Sequence, residues 1–94
     1  MDTTTQPQQT QKIIIYSTEN CKFCHMLKDY LTEKGFSYED VNVGADATQA
    51  AIAQEKSGQL GVPVTDIDGH IIVGYDTDAV DELLNLNEGV KLAA

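Results

Sequence analysis

The sequence predicts one α/β domain in which strands and helices follow the order β-α-β-α-β-β-α. Short apolar runs rich in β-branched residues alternate with stretches whose apolar residues recur every three or four positions, as expected for alternating strands and helices. The dipeptide Asp68-Gly69 separates the last two strand candidates and is typical of a hairpin turn. A chain of 94 residues has room for one core. We therefore expect a parallel β-α-β unit, a hairpin and a closing helix, forming a mixed four-stranded sheet flanked by three helices.

The first strand and helix are marked by a change in the spacing of apolar residues. Residues Lys12–Tyr16 (KIIIY) form the apolar, β-branched run that is typical of a buried strand. From Phe23 to Leu31 the apolar residues recur at helical spacing, and Gly35 follows as a helix stop.

The second strand and helix are less apolar than the first pair. Residues Ser37–Val43 alternate loosely and predict a strand. Residues Asp46–Ser57 are rich in Ala and other good helix formers, and Gly58 closes this stretch. Because the apolar face of this helix is shallow, we expect it to pack lightly.

The last three elements are a hairpin and a helix. The third strand, Val62–Ile67, carries Pro63 near its start, and Ile71–Val73 forms its partner across the turn. The cluster Asp76-Thr77-Asp78 supplies a cap and an acidic first turn for the last helix, whose apolar positions run from Val80 to Leu84. Gly89 follows it.

We divide the chain into a flexible polar tail over residues 1–11, a domain over residues 12–88 and a C-terminal tail over residues 89–94. The first residues carry neither a basic cluster nor an apolar stretch, so they do not predict a secretory signal. No apolar run approaches the roughly 20 residues of a membrane helix. We therefore expect a cytoplasmic protein without a membrane partner.

The charge is strongly acidic. Asp and Glu number 15 against six Lys and no Arg, which gives a net charge of −9. Because phosphate contacts need clustered Lys and Arg, this balance argues against nucleic acid as a partner. It would also slow the approach of an anionic small molecule unless the site were locally basic.

The pair Cys21 and Cys24 lies where the first strand has ended and the first helix begins. Unpaired amides and the positive end of the helix dipole favour a thiolate at Cys21, and Lys22 adds a neighbouring cation. The spacing of three residues brings both sulfur atoms to one side of the helix. We therefore predict that Cys21 is the exposed nucleophile and that Cys24, lying deeper, is the resolving thiol.

The same two cysteines allow other interpretations. Two incidental buried cysteines are one alternative. A metal site in one chain has few ligands to draw on, because the chain holds two Cys and two His, and we expect no bound metal. An iron–sulfur cluster shared between two chains stays open. The segment Cys21–His25 matches the C-x-x-C-H pattern of haem attachment, but it lacks an export signal and a second axial ligand, and a β-α-β pattern surrounds it.

Taken together, these motifs make the sequence similar to the glutaredoxin-like redoxins over about residues 12–86. The resemblance is carried by Tyr16-Ser17-Thr18 leading into the cysteine pair, Gly61-Val62-Pro63, Ile67-Asp68-Gly69 and Gly74-Tyr75-Asp76. It implies a thioredoxin-like fold of the glutaredoxin type and a dithiol–disulfide oxidoreductase that takes part in electron transport and cell redox homeostasis.

The resemblance also implies site residues around the cysteines. It implies a cis peptide bond before Pro63, and a backbone pairing between Val62 and the cysteine-containing strand of the substrate. The start of the last helix, at Asp76 and Thr77, resembles the carboxylate-binding terminus of the family, a plain helix cap being the alternative. The candidate substrate- or glutathione-binding residues are Lys22, Phe23, Val62, Pro63, Asp76 and Thr77.

Several positions depart from the family pattern. Lys22 and Phe23 stand between the cysteines where C-P-Y-C is commonest, and Leu60 and Thr18 stand where many relatives carry a basic residue. The Trp motif that precedes the last helix in the redoxins of ribonucleotide reductase is absent. The electron donor, glutathione or thioredoxin reductase, therefore stays open.

Our prediction is a monomeric enzyme that reduces protein disulfides or glutathione mixed disulfides, without a tightly bound cofactor and with glutathione as a candidate co-substrate. An iron–sulfur-binding module and a redox switch without significant turnover are the alternatives.

Tyr16, Phe23 and Tyr75 are candidates to line the substrate groove, or else belong to the core. Asp66 interrupts the third strand, and because a buried unpaired carboxylate is costly we expect it at a sheet edge reaching water. A role for Asp66 in tuning the cysteines or accepting a proton is the alternative.

Overall fold

The computed structural model describes residues 11–84, which form four strands and three helices in the predicted order. Residues 1–10 of the predicted N-terminal tail lie outside the described residues. So do residues 85–88 of the predicted domain and the whole predicted C-terminal tail, which begins at Gly89. No helix within the described range is long and apolar enough to span a membrane. The elements are β1 Ile13–Ser17, α1 Lys22–Glu33, β2 Glu39–Asn42, α2 Ala47–Ser57, β3 Val64–Ile67, β4 His70–Val73 and α3 Thr77–Leu84.

The sheet has the strand order β2-β1-β3-β4. Strand β1 pairs in parallel with β2 and antiparallel with β3, and β3 pairs antiparallel with β4. Tyr16 lies opposite both Val41 and Val64 in this register. The predicted mixed four-stranded sheet of a thioredoxin-like fold is thereby confirmed, and β1 and β3 form its centre.

Successive residues of the central strands point to opposite faces of the sheet, and each face has its own hydrophobic core. Helices α1 and α3 cover one face and helix α2 covers the other. The first core contains Ile13, Ile15, Leu27, Leu31, Ile67, Ile72, Val80 and Leu84. The second is smaller and contains Tyr16, Ala53 and Val64 with half-buried neighbours. Ala53 is the one residue of α2 that is fully buried, which agrees with the light packing expected of this helix.

The helix ends follow from local sequence chemistry. Gly35 has a φ of +87° and ends α1 in a Schellman motif, in which its N–H donates to the Thr32 carbonyl and the Phe36 N–H donates to the Leu31 carbonyl. Asp46 caps α2 by accepting from the Thr48 and Gln49 N–H groups.

The hairpin turn has the predicted form. Asp68 and Gly69 have φ values of 52° and 92°, as a two-residue turn with left-handed backbone at both positions requires. The side chain of Asp66 helps to close this turn by accepting from the Gly69 N–H at 2.7 Å.

The expectation that Asp66 lies at a sheet edge is wrong. Strand β3 is a central strand, paired on one side with β1 and on the other with β4. The carboxylate of Asp66 is instead paired with Lys56 of α2, whose Nζ lies 2.7 Å from its Oδ2. This half-buried position is therefore tolerated because a cation from another element compensates the carboxylate.

Candidate functional site

The cysteine pair forms a disulfide in the first turn of α1. The Cα atoms of Cys21 and Cys24 lie 5.2 Å apart, within the usual range for a disulfide. Cys21 is the N-cap residue of α1, with extended backbone, and its Sγ accepts from the Cys24 N–H at 3.1 Å. The sulfur atom therefore occupies the place that a Ser, Thr, Asp or Asn oxygen takes at most helix starts.

The two sulfur-bearing residues differ in exposure. Cys24 is completely buried and faces the sheet with Leu27 and Leu31 on the same side of α1. Cys21 is partly exposed. A molecule arriving from solvent can therefore reach Cys21 and not Cys24.

The predicted cis peptide bond between Val62 and Pro63 is present, in the loop that leads into β3. Cys21 Sγ lies 3.9 Å from the carbonyl oxygen of Val62. The Pro63 carbonyl accepts from the Gly74 N–H at 2.8 Å, which ties this loop to the end of β4. Segments from three parts of the chain thus meet at the disulfide.

Two of the three candidate groove aromatics lie on the surface near the disulfide. The rings of Phe23 and Tyr75 are stacked, with centroids 6.0 Å apart and an angle of 28° between their planes. Tyr16 is buried and belongs to the core on the α2 face, so the core alternative is the right one for that residue.

The start of α3 follows the cap that the sequence predicts. Asp76 accepts from the Ala79 N–H at 3.1 Å through its side chain, and its carbonyl accepts from the Val80 N–H. Thr77 is the first helical residue and is half-buried. The carboxylate of Asp76 thereby occupies one of the amides of the predicted carboxylate-binding terminus. Lys22 is the first residue of α1, and its side chain is exposed.

His25 lies on the exposed side of α1, next to the pair. Its Nε2 is 2.8 Å from the carbonyl oxygen of Glu19, so this nitrogen carries the proton and donates it to the loop before Cys21. The imidazole thus helps to hold the loop and helix together.

A polar network that the sequence did not reveal lies on the α1 face beside the loop before Cys21. Ser17 donates to Asp40 at 2.8 Å, and Lys28 donates to the other carboxylate oxygen, also at 2.8 Å. Desolvation opposes ionisation of Asp40, but the hydrogen bonds from Lys28 and Ser17 outweigh it and lower the pKa of Asp40 below its usual value. A shallow cavity of about 330 Å³ opens next to the same loop, lined by Thr18, Glu19, Asn20, Asn42, Gly44 and Ala45.

A second network, centred on Lys56, lies on the α2 face. Lys56 Nζ donates to Tyr16 Oη at 2.8 Å and to Asp66, and lies 5.0 Å from the centroid of the Tyr16 ring. The hydrogen bonds to Asp66 and Tyr16 raise the pKa of Lys56. Desolvation opposes ionisation of Asp66, yet the hydrogen bonds from Lys56 and the Gly69 N–H lower its pKa. Asp66 lies on the sheet face opposite α1, so nothing in its contacts connects it to the cysteines.

Comparison with known proteins gives a consistent family. The family model described as glutaredoxin matches residues 13–72. A glutaredoxin-like 8.6 kDa protein of the rubredoxin operon of Clostridium pasteurianum is 43% identical over 72 residues, covering 77% of this chain and 96% of that protein. Glutaredoxin 3 of Escherichia coli is 34% identical, covering 66% and 75%. The structure of the NrdH-redoxin from Escherichia coli superposes with a TM-score of 0.67 at 29% identity, covering 77% of this chain and 93% of that one.

Proposed function

The chain belongs to the glutaredoxin family, and from that premise we propose that it is a dithiol–disulfide oxidoreductase in which Cys21 is the nucleophile and Cys24 the resolving thiol. The observation that carries this assignment is the unequal exposure of the two cysteines: Cys24 is fully buried and Cys21 is the partly exposed cap of α1. In the reduced protein, the helix N-terminus would stabilise a thiolate at Cys21, because free amides and the helix dipole favour negative charge there.

The proposed reaction proceeds in two exchanges. The Cys21 thiolate attacks one sulfur of a substrate disulfide, so that a Cys21–substrate disulfide forms and the other substrate sulfur leaves as a thiolate. The Cys24 thiolate then attacks Cys21 Sγ, re-forming the Cys21–Cys24 disulfide and releasing the second substrate thiolate. The substrate gains two electrons and the cysteine pair loses two.

We propose that substrates contact Lys22, Phe23, Val62, Asp76 and Thr77. Pro63 is fully buried, so we propose that it positions the Val62 backbone and does not itself contact the substrate. The backbone of Val62, whose carbonyl lies beside Cys21 Sγ, would pair with an extended substrate segment. The same site could accept a protein disulfide or a glutathione mixed disulfide.

The pair must be reduced again after each turnover, and two donors are candidates. The similarity to Escherichia coli glutaredoxin 3 supports glutathione. The NrdH-redoxin from Escherichia coli is a glutaredoxin-like protein with a thioredoxin-like activity profile, and the similarity to it supports thioredoxin reductase. A reducing compartment such as the cytoplasm, where we propose that the protein acts, would keep the pair in its attacking form.

The experiment combines two matched variants with two reducing systems. Oxidised protein is supplied with NADPH and either glutathione plus glutathione reductase or thioredoxin reductase, and NADPH consumption is followed with a disulfide substrate. We expect turnover with one system, none for Cys21→Ser, and a trapped mixed disulfide for Cys24→Ser, visible by mass spectrometry. Full turnover in Cys21→Ser would contradict the assignment. Oxidation-dependent partner binding without turnover would instead indicate a redox switch.

A further inference from the structure

The large apolar side chains that are exposed within residues 11–84 all belong to the chain segments that form the disulfide site or lead into it. They are Phe23, Leu60, Val73 and Tyr75, with exposed fractions of 54%, 79%, 48% and 38%. We call these four residues the apolar rim.

The rim residues come from different segments of the chain. Phe23 lies between the two cysteines, and Tyr75 stacks on it. Leu60 precedes Val62 by two residues, and Val73 pairs with Val64, the residue after Pro63. Exposed apolar groups grouped in this way mark interaction sites, whereas single scattered ones do not.

The charged groups that lie within three residues of Cys21 or of Tyr75 in the sequence are mostly acidic. Glu19 is exposed two residues before Cys21, and Asp76 and Asp78 are exposed at the start of α3, one and three residues after Tyr75. Lys22 is the one lysine close to the disulfide among the described residues. The others are engaged elsewhere or lie away from it: Lys28 pairs with Asp40, Lys56 with Asp66, Lys34 lies over the Tyr30 ring, and Lys12 is next to the Asp68 turn.

This distribution suits a cationic partner better than an anionic one. Glutathione carries two carboxylates, and a tight site for it needs donors or cations for both. Here Asp76 takes the Ala79 amide at the helix end, and Leu60 is an exposed apolar residue. The whole protein adds repulsion through its net charge of −9.

We propose that the preferred substrate is a protein disulfide in an extended segment that carries large apolar side chains next to its cysteine and Lys or Arg a few residues away, with glutathione disulfide a poorer substrate. This inference rests on the proposed function, because the exchange at Cys21 is the same. The apolar rim contacts the apolar side chains, and Glu19, Asp76 and Asp78 attract the cations. Burial of the rim and charge complementarity both act on recognition and not on the sulfur chemistry.

The test uses the reduced protein in single turnover, so that no electron donor is involved. Three peptide disulfides carry a fluorophore and a quencher on their two halves: one with Leu and Lys flanking the cysteine, one with Leu and Glu, and one with Ser and Lys. Bis(hydroxyethyl) disulfide, which is uncharged and has no side chains, measures the exchange chemistry alone. Glutathione disulfide is the fifth substrate.

We expect the Leu/Lys peptide to react fastest and glutathione disulfide to react at least about tenfold more slowly, with the Leu/Glu peptide approaching the Leu/Lys rate as salt screens the charges. Leu60→Ser should slow the two Leu peptides by about three- to tenfold, the effect of losing one apolar contact, and leave bis(hydroxyethyl) disulfide unchanged. Glu19→Gln should reduce the preference for Lys over Glu.

The control for Glu19→Gln is Glu33→Gln at the other end of α1, about 16 Å away along the helix, which should leave the preference intact. Equal rates for all three peptides, or faster reduction of glutathione disulfide than of any peptide, would overturn the inference while the proposed function stands. Failure to reduce bis(hydroxyethyl) disulfide as well as every peptide would overturn the proposed function and the inference together.

Discussion

Thr65 lies on the central strand β3 with no solvent exposure, and its hydroxyl has no hydrogen-bond partner among the described residues. The same strand face carries Ile67, and the neighbouring strands place Ile15 and Ile72 beside Thr65. A buried hydroxyl without a partner costs about 1–3 kcal/mol of stability. The surroundings would suit an apolar side chain of the same shape.

Replacing Thr65 with Val should therefore raise the free energy of unfolding, by about 1 kcal/mol, because it keeps the shape and removes the unpaired hydroxyl. Urea unfolding of the oxidised protein measures the change. Thr65→Ser is the matched control, since it keeps the hydroxyl and loses a buried methyl group, and it should destabilise. A loss of stability in Thr65→Val would show that the hydroxyl has a partner.

The ion pair between Lys56 and Asp66 predicts how the stability of the protein depends on pH. The pKa of Asp66 is lowered in the folded protein, so its contribution is present above the unfolded pKa and is lost as the pH falls through the folded pKa, below about pH 4. The pKa of Lys56 is raised, so its contribution is lost only as the pH rises above about 10.5.

Lys56→Met should consequently destabilise the protein by about 2 kcal/mol at neutral pH, because it leaves Asp66 without its charged partner. The loss should shrink as the pH falls below 4. Denaturant unfolding from pH 3 to pH 7 measures both effects. Lys34→Met removes an exposed lysine whose contact is with the Tyr30 ring, so as the control it should change stability little and by the same amount at every pH. A loss in Lys56→Met that is constant at every pH would contradict the ion-pair explanation.

At the scale of elements, α2 depends on its ends more than on its packing. Ala53 is its one fully buried residue, whereas α1 buries Cys24, Leu27 and Leu31. Its N-terminus is held by Asp46, and at its C-terminus Gly58 has a φ of +76°.

Asp46→Ala should therefore cost about 1 kcal/mol, the usual cost of losing a helix cap, and should speed amide hydrogen exchange in α2 more than in α1. Hydrogen exchange followed by NMR measures both helices in one sample. Asp46→Asn retains the cap and should restore slow exchange. Uniform acceleration across the domain would mean that α2 does not open independently.

The elements also show what sequence reasoning can reach. Caps and turns such as Asp46, Gly58 and Asp68-Gly69 are determined by neighbouring residues, so the sequence predicts them closely. The position of Asp66 depends on strand order, which places β3 between β1 and β4 through pairings far apart in sequence. Its edge assignment therefore failed.

The candidate site divides in the same way. The cysteine pair and the cis bond at Pro63 are visible in the sequence because both belong to short motifs. The contacts of Lys56 with Tyr16 and Asp66 were missed, since they cross from one element to another. The exposure of Leu60 and Val73 was missed because an exposed apolar residue leaves no pattern in sequence.

At the scale of the whole molecule, the net charge of −9 should govern encounter rates with charged small disulfides. The reduced protein should react faster with cationic cystamine than with glutathione disulfide at low salt. Raising the ionic strength should slow the first reaction and accelerate the second, because screening weakens both attraction and repulsion. Stopped-flow rates from 0.02 to 0.5 M NaCl provide the test. Salt slopes of the same sign for both compounds would contradict a charge-controlled encounter.

The Asp68-Gly69 turn lies at the end of the β3–β4 hairpin opposite Val62 and Tyr75, which places it about four strand residues, roughly 13 Å, from the site. Its two residues are exposed, and Gly69 has open space where a side chain would begin. The turn is consequently a natural attachment point. A fluorescent protein, an affinity label or a second catalytic domain joined there would leave the substrate face free, so this hairpin could be developed into a genetically encoded sensor.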